Sequence, residues 1–345
     1  MMPSSNPNNV LSMILVMGVT GAGKSYFINQ LAGSEAVKEG HLLDACTQSC
    51  QLVPVQIGQS KVLLVDTPGF DDTTRSDAEI LGEIAQVLTA QYKLGVQLKG
   101  VVYIHRITDI RFTRTAVKTF EILNEVVGPD ALKNVLLVTS RWDGVDQATG
   151  SDRERQLREK FWAYMLGRGS NMSRFLGDRD SAIALTGQLL CKDVVVLELQ
   201  KEIVHQKKRL DQTAAGSLVS GNLDVLKEQY ERELASLERL KQDLIDSDRA
   251  MKRQIQKDWE NEQAMLRKVR DEQVALQRPV NQEVDQQIAR KRSGMSKVLP
   301  FLPAAVSILA SMVGIPSGFV DILTSWFTDA GATSDFGAFS DLLAF

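Results

Sequence analysis

Eight residues near the start of the chain, Gly18-Val19-Thr20-Gly21-Ala22-Gly23-Lys24-Ser25, limit its fold more than any other stretch. They read G-x-x-x-x-G-K-S. The apolar run Leu11–Met17 before them has the length of a buried strand, and Tyr26–Ala32 after them suits a short helix stopped at Gly33. Strand, glycine loop and helix together form the setting in which this pattern, the P-loop, closes on a phosphate.

The residue types fit that chemistry. Glycine lets successive backbone N–H groups converge on an anion without Cβ clashes, and the helix N-terminus adds partial positive charge. The candidate phosphate contacts are Gly21, Ala22, Gly23, Lys24, Ser25 and Tyr26. Lys24 has the reach for the β- and γ-phosphates, and the Ser25 hydroxyl is a Mg²⁺ ligand of the right type.

Residues 11 to about 205 alternate strand-like and helix-like runs, which predicts a parallel sheet covered by helices on both faces. Gln51–Ile57 reads as an edge strand, because Pro54 cannot donate to a ladder. Gly58-Gln59-Ser60 reads as a hairpin turn into the strand Lys61–Val65. That strand delivers Asp66-Thr67-Pro68-Gly69. A carboxylate at a strand end can hold the Mg²⁺ shell, and the Gly69 N–H can sense a γ-phosphate. Thr47, in the polar stretch before, is the candidate for the first switch, as a Mg²⁺ ligand and catalytic group, with Ser49 as its rival. Phe70 stands where many small GTPases carry a water-orienting glutamine, so slow intrinsic hydrolysis is expected.

Further strands are expected at Gly100–Ile104 and Asn134–Val138. The first ends in His105-Arg106, with Arg111 and Arg114 beyond; a structural role is the expectation for His105. The second delivers Thr139-Ser140-Arg141-Trp142-Asp143. The Asp143 oxygens can accept from guanine N1–H and N2–H₂, a donor pair that adenine lacks. Arg141 has the stem to cover a base, and Ser140 stands in place of asparagine, with some loop-bracing lost. A charged helix is expected over Arg153–Leu166, and Ser181-Ala182 is a weak match to the last base-side loop.

Together these motifs resemble GTPases of the septin-related branch, which includes the immunity-associated (IMAP) and chloroplast-import (Toc) GTPases, and most closely a group of G-domain proteins abundant in fungi. The resemblance rests on Gly18–Asn29, Asp66–Asp72, Val101–Arg111, Thr139–Asp143 and Arg153–Leu166. It implies GTP or GDP and Mg²⁺ as cofactors, bound through Gly21, Gly23, Lys24, Ser25, Asp66 and Asp143, with Thr47 as a further ligand. It also implies pairing of G domains as a homodimer or oligomer across the nucleotide face. No catalytic glutamine or arginine carries over from it; Arg106 and Arg111, by their place at and beyond a strand end, are candidates for groups acting in trans.

The expected fold class is thus α/β, a three-layer P-loop NTPase of the G-domain type over residues 11–205, with a polar lead-in at 1–10 and a C-terminal α-helical extension. Thr213–Asn222, with Gly216 and Gly221, reads as a joint. From Leu223 to Lys291 the chain is rich in charge and leucine. Tyr230, Leu237, Leu244 and Met251 recur at sevens, so a coiled coil and a hairpin folded back on the first domain both fit. Pro279 is expected to kink or end a helix. Residues 296–345 form an apolar tail. Val298–Val320 carries no charge and has bilayer length, but three prolines interrupt it; membrane association through 298–327 and packing within the fold both remain readings.

Composition sets the remaining bounds. The 345 residues carry a net charge of −3 and 6% aromatics, which gives no footprint for nucleic acid. Three cysteines, an odd and sparse set, point to a reducing, cytoplasmic setting. Two other functions are weighed against a GTP-hydrolysing switch. One is a nucleotide-bound scaffold whose oligomer interface GTP or GDP fixes; the other is an ATPase.

Overall fold

The computed structural model describes residues 11–37, 49–70, 75–243, 249–294, 301–315, 322–323 and 326. Among the described residues there are six strands, β1 (Leu11–Met17), β2 (Gln51–Ile57), β3 (Ser60–Asp66), β4 (Gln97–Arg106), β5 (Val135–Ser140) and β6 (Asn171–Arg174). They form one sheet in the order β2-β3-β1-β4-β5-β6. All neighbours run parallel except β2 and β3, which pair antiparallel as a hairpin. Gly58 turns that hairpin with φ 60°, and Pro54 lies on the edge strand, where its missing N–H costs no ladder bond.

Alternation along the strands builds two cores. Met13, Leu15, Met17, Leu63, Val65, Val101 and Tyr103 enter one face, while Ile14, Val16, Val62, Leu64, Val102 and Ile104 enter the other. Both faces are covered, so the strands read as unbroken apolar runs in the sequence. The second face is covered by α1 (Lys24–Ala32) and by α6 (Arg179–Leu190).

The first face carries α2 (Asp77–Lys93) and α3 (Arg114–Val127). A Ser76/Glu79 capping box starts α2 and the Thr113 hydroxyl starts α3. The region expected as one helix over Arg153–Leu166 is instead α4 (Gln147–Gln156), a wide turn at Leu157–Phe161 and α5 (Ala163–Gly167). The wide turn, closed by Trp162 N–H donating to the Leu157 carbonyl at 2.7 Å, seats Trp162 fully in the core while the Phe161 ring stacks on Phe112.

After α7 (Glu198–Gln200), the extension begins as α8 (Ala214–Asp243) and continues as α9 (Arg249–Leu276), α10 (Val280–Gly294) and α11 (Phe301–Val313). Thr213–Asn222 is no joint: all but Thr213 lie inside α8. Gly216 is there for space, since a Cβ would sit 2.6 Å from the Leu210 carbonyl carbon. Helices α8 and α9 form an antiparallel hairpin, stitched by Gln273 to Asp224, Arg270 to Glu231 and Lys241 to Gln256. Of the residues recurring at sevens, Tyr230 and Leu237 are half-buried and Met251 is exposed, while Leu244 lies outside the described residues; on α9 Ile255, Leu266 and Val269 are buried. Pro279 ends α9 and opens α10.

The hairpin base, α10 and α11 all pack on α2. Leu210, Val219, Leu276, Val284, Val306 and Leu309 belong to the same core as Met13 and Tyr103. Gly314, just past α11, accepts from the Leu52 N–H at 3.0 Å on the edge strand. Among the described residues no helix is long and apolar enough to cross a membrane.

Candidate functional site

Strand β1 lies between β3 and β4, so the chain winds away from it in both directions. The carboxyl ends of β1, β3, β4 and β5 therefore meet at one crevice, where open α/β sheets bind ligands. Gly18–Gly23 leaves β1 there and α1 begins at Lys24. Gly21 and Gly23 hold φ of 74° and 93°, the left-handed region that turns successive N–H groups toward one point.

Lys24 is 6% exposed, and its Nζ donates to the Gly18 and Val19 carbonyls at 3.0 Å each. The ammonium is thus folded over the loop's own concavity. The Ser25 hydroxyl donates to Asp66 Oδ2 at 2.9 Å. This contact joins the first turn of α1 to the end of β3 and brings together two of the three expected metal-binding residues, Ser25 and Asp66. Thr67 anchors the following turn on the Val16 carbonyl at 2.7 Å. Gly69 presses on the loop itself, where a Cβ would lie 2.7 Å from the Thr20 Cα. The Thr20 hydroxyl is buried there and has no hydrogen-bond partner among the described residues.

The donor set fits a Mg²⁺-bound nucleoside phosphate. A hydroxyl and a carboxylate in contact are hard oxygen ligands, and a lysine with a left-handed glycine nest matches the phosphates. Ser25 and Asp66 would hold the metal; Gly21, Ala22, Gly23, Lys24 and Tyr26 would hold the phosphates. The Tyr26 side chain itself points elsewhere, donating to the Gly177 carbonyl at 2.7 Å.

At the end of β5, Ser140 is 2% exposed, and its hydroxyl donates to the Ala22 carbonyl at 2.7 Å. The bracing expected to be lost with the missing asparagine is therefore retained in shorter form. Arg141 takes φ 61° and is exposed, as is Asp143. Trp142 does not offer its ring to a base. Its Nε1 donates to the Thr139 carbonyl and hydroxyl, Arg174 lies 4.0 Å over the ring, and Gly150 packs on it. The tryptophan pins the loop so that Asp143 is presented outward.

Ser181 and Ala182 lie inside α6, not on a base-side loop; Ser181 is held by the Asp178 cap. The loop at this end of the sheet is Phe175–Asp178, after β6. Its signal in the sequence was weak, because β6 is four residues of mixed polarity. His105 is 3% exposed between Phe112 and Trp162 and does not reach the crevice, as its structural reading requires. Burial pushes its imidazole down to about 4; Asp109 opposes that shift and Arg106 adds to it, both less strongly than burial. Phe70 is 1% exposed within the core and bridges to Val19. Arg111 is exposed on the β4–α3 loop beside Ile110, itself 84% exposed. Thr47 lies outside the described residues.

Fold and crevice define a three-layer P-loop domain of the G-domain type. Residues 12–157 match the model of the AIG1 family. A curated relative, GTP-binding protein A of Dictyostelium discoideum, is 26% identical over 143 residues, which are 39% of this chain and 31% of the relative. The chain thus aligns with about a third of that protein's length. Among solved structures, Toc33 of Arabidopsis thaliana in complex with Mg²⁺ and GMPPNP is similar at 17% identity and TM-score 0.42, over 53% of this chain and 86% of that one. Era of Aquifex aeolicus bound to GDP and AlF4⁻ is similar at 16% identity and TM-score 0.39, over 52% and 56%.

Proposed function

We propose that the chain binds GTP or GDP with Mg²⁺ in the Gly18–Ser25 cradle and selects guanine through Asp143. On this reading it is a slow GTPase that acts as a switch. The contact between Ser25 and Asp66, 2.9 Å apart beneath a lysine-bearing loop, carries the proposal. The AIG1-family match and the GTP-binding relative support it. Within the septin-related branch we place the chain nearest the fungal G-domain proteins, on Tyr103–Arg106 and Thr139–Asp143.

Mg²⁺, when bound, would neutralise charge developing between the β- and γ-phosphates. Lys24 and the loop N–H groups add fixed donors at the same place, and Asp143 accepts from the base edge. Phe70 is buried and cannot orient water, so faster turnover requires a group from elsewhere. Pairing with a second copy through the G domain would supply one, and Arg111, exposed beside the crevice, is suited to that role. Titration calorimetry with Mg·GTP, Mg·GDP and Mg·ATP tests the binding. Heat with the guanine nucleotides, and loss of the guanine-over-adenine preference in Asp143→Ala, is the expected result; no heat from any of them removes the proposal.

The buried Phe70 also favours a second reading, in which bound nucleotide fixes an oligomer interface and turnover is incidental. Single-turnover phosphate release measured against protein concentration separates the two. Release that rises with concentration supports the switch, and no release at any concentration leaves the scaffold.

A further inference from the structure

The last residue of β4, Arg106, borders the cradle of its own chain. Its Nη1 lies 3.0 Å from the position a Cβ would take on Gly21. The guanidinium thus covers the backbone of the loop at Gly21, where no side chain obstructs it. Asp109, three residues on, holds it there: Nε lies 3.0 Å from Oδ1 and 3.3 Å from Oδ2. That tether uses Nε. Among the described residues Nη1 and Nη2 have no hydrogen-bond acceptor, and the side chain is 36% exposed. The neighbouring Arg153 is engaged differently, donating from Nη1 to the Ile107 and Thr108 carbonyls, which fixes the loop that carries Asp109.

A planar cation with two donor nitrogens to spare, anchored by a carboxylate and set against an anion nest, matches the geometry of phosphate recognition. We propose that Arg106 is a phosphate-binding residue in cis, contacting the nucleotide held by the same chain, with Asp109 as its positioning partner. This assigns Arg106 to its own site and leaves Arg111, exposed on the loop beyond, as the arginine suited to a neighbour. The proposal rests on the reading of the crevice as a nucleotide site.

The test is titration of Mg·GDP and Mg·GTP into the full chain, Arg106→Ala and Arg106→Lys, with melting temperatures recorded with and without nucleotide. The expected result is a loss of about 10- to 100-fold in affinity for Arg106→Ala, the scale of charge-assisted hydrogen bonds. Arg106→Lys should lie between, and melting without nucleotide should be unchanged. The loss should be the same at protein concentrations below and above any self-association. Equal affinity of wild type and Arg106→Ala overturns the assignment while leaving the nucleotide site intact. A loss seen only where the chain self-associates moves Arg106 to a partner's site and also overturns it. A wild-type chain that binds neither nucleotide removes the site and Arg106's role in it together.

Discussion

The hydroxyl of Ser140, at the end of β5, donates to the carbonyl of Ala22 in the phosphate loop at 2.7 Å, across 118 residues of sequence. It is a short buried bond between the segment that would read a base and the segment that would hold phosphates. Ser140→Ala leaves the Ala22 carbonyl without this donor in a buried place, at a cost of about 1–3 kcal/mol. Part of that cost falls on stability and part on the geometry of the loop. The expected outcome is guanine-nucleotide affinity weakened up to about a hundredfold and a lower melting temperature. Calorimetry and thermal melts check both, and unchanged affinity would show that the bond serves folding only.

Gly69 offers a sharper probe of coupling between the Asp66–Gly69 turn and the loop. Its backbone lies against Thr20, where an added Cβ would be 2.7 Å from Cα and 2.5 Å from Oγ1. Gly69→Ala must push the turn off the loop, at about 1–3 kcal/mol by the usual cost of overpacking. The turn carries the N–H expected to meet a γ-phosphate, so triphosphate affinity should fall more than diphosphate affinity. Parallel titrations of GTP and GDP measure the ratio, and an equal fall in both would detach Gly69 from γ-phosphate sensing.

Much of this arrangement was legible in the sequence, and the reasons differ by element. The loop, its strand and Asp66 were readable because glycine, lysine and a strand-end carboxylate have few other uses at that spacing. Pro54 marked the edge strand because a missing N–H is tolerated only there. Gly216 misled, because a glycine required for close packing against Leu210 has the same letter as a glycine at a hinge. The Ser140 bond was illegible, since it depends on a hydroxyl reaching a carbonyl that only the fold brings near. β6 was missed because an edge strand with polar residues has neither strict alternation nor an apolar run.

His105 gives the domain a pH dependence of calculable sign. Burial between Phe112 and Trp162 holds its pKa at about 4, against 6.5 for the ordinary group. Between those values the unfolded chain binds a proton that the folded chain does not. Stability is therefore full above pH 6.5 and falls as pH drops toward 4, by up to about 3 kcal/mol for this residue. In His105→Gln that contribution disappears. Denaturant unfolding at pH 7.5, 5.5 and 4.5 should show a smaller loss on acidification for the variant than for wild type. Identical slopes would mean that His105 titrates normally in the fold.

The apolar stretch near the C-terminus tests how far the extension belongs to the domain. Apolar composition alone does not distinguish a core helix from a membrane helix. In the fold, Val306 and Leu309 are 0% exposed and Ile308 is 1% exposed, all in the core that includes α2. Leu309→Ala should then cost about 2–5 kcal/mol, the range for emptying a buried leucine site, and denaturant melts of the full chain would measure it. A chain ending near Ser296 should be less stable still, because it uncovers the apolar side of α2 and removes the Gly314 carbonyl from the Leu52 N–H. Flotation of such a shortened chain with liposomes would therefore report its exposed core as well as its missing tail. Leu309→Ala avoids that difficulty because it keeps the tail. If α11 is core in the full chain, the substitution lowers the melting temperature and leaves liposome binding where it was; unchanged stability with weakened flotation would assign the helix to the membrane instead.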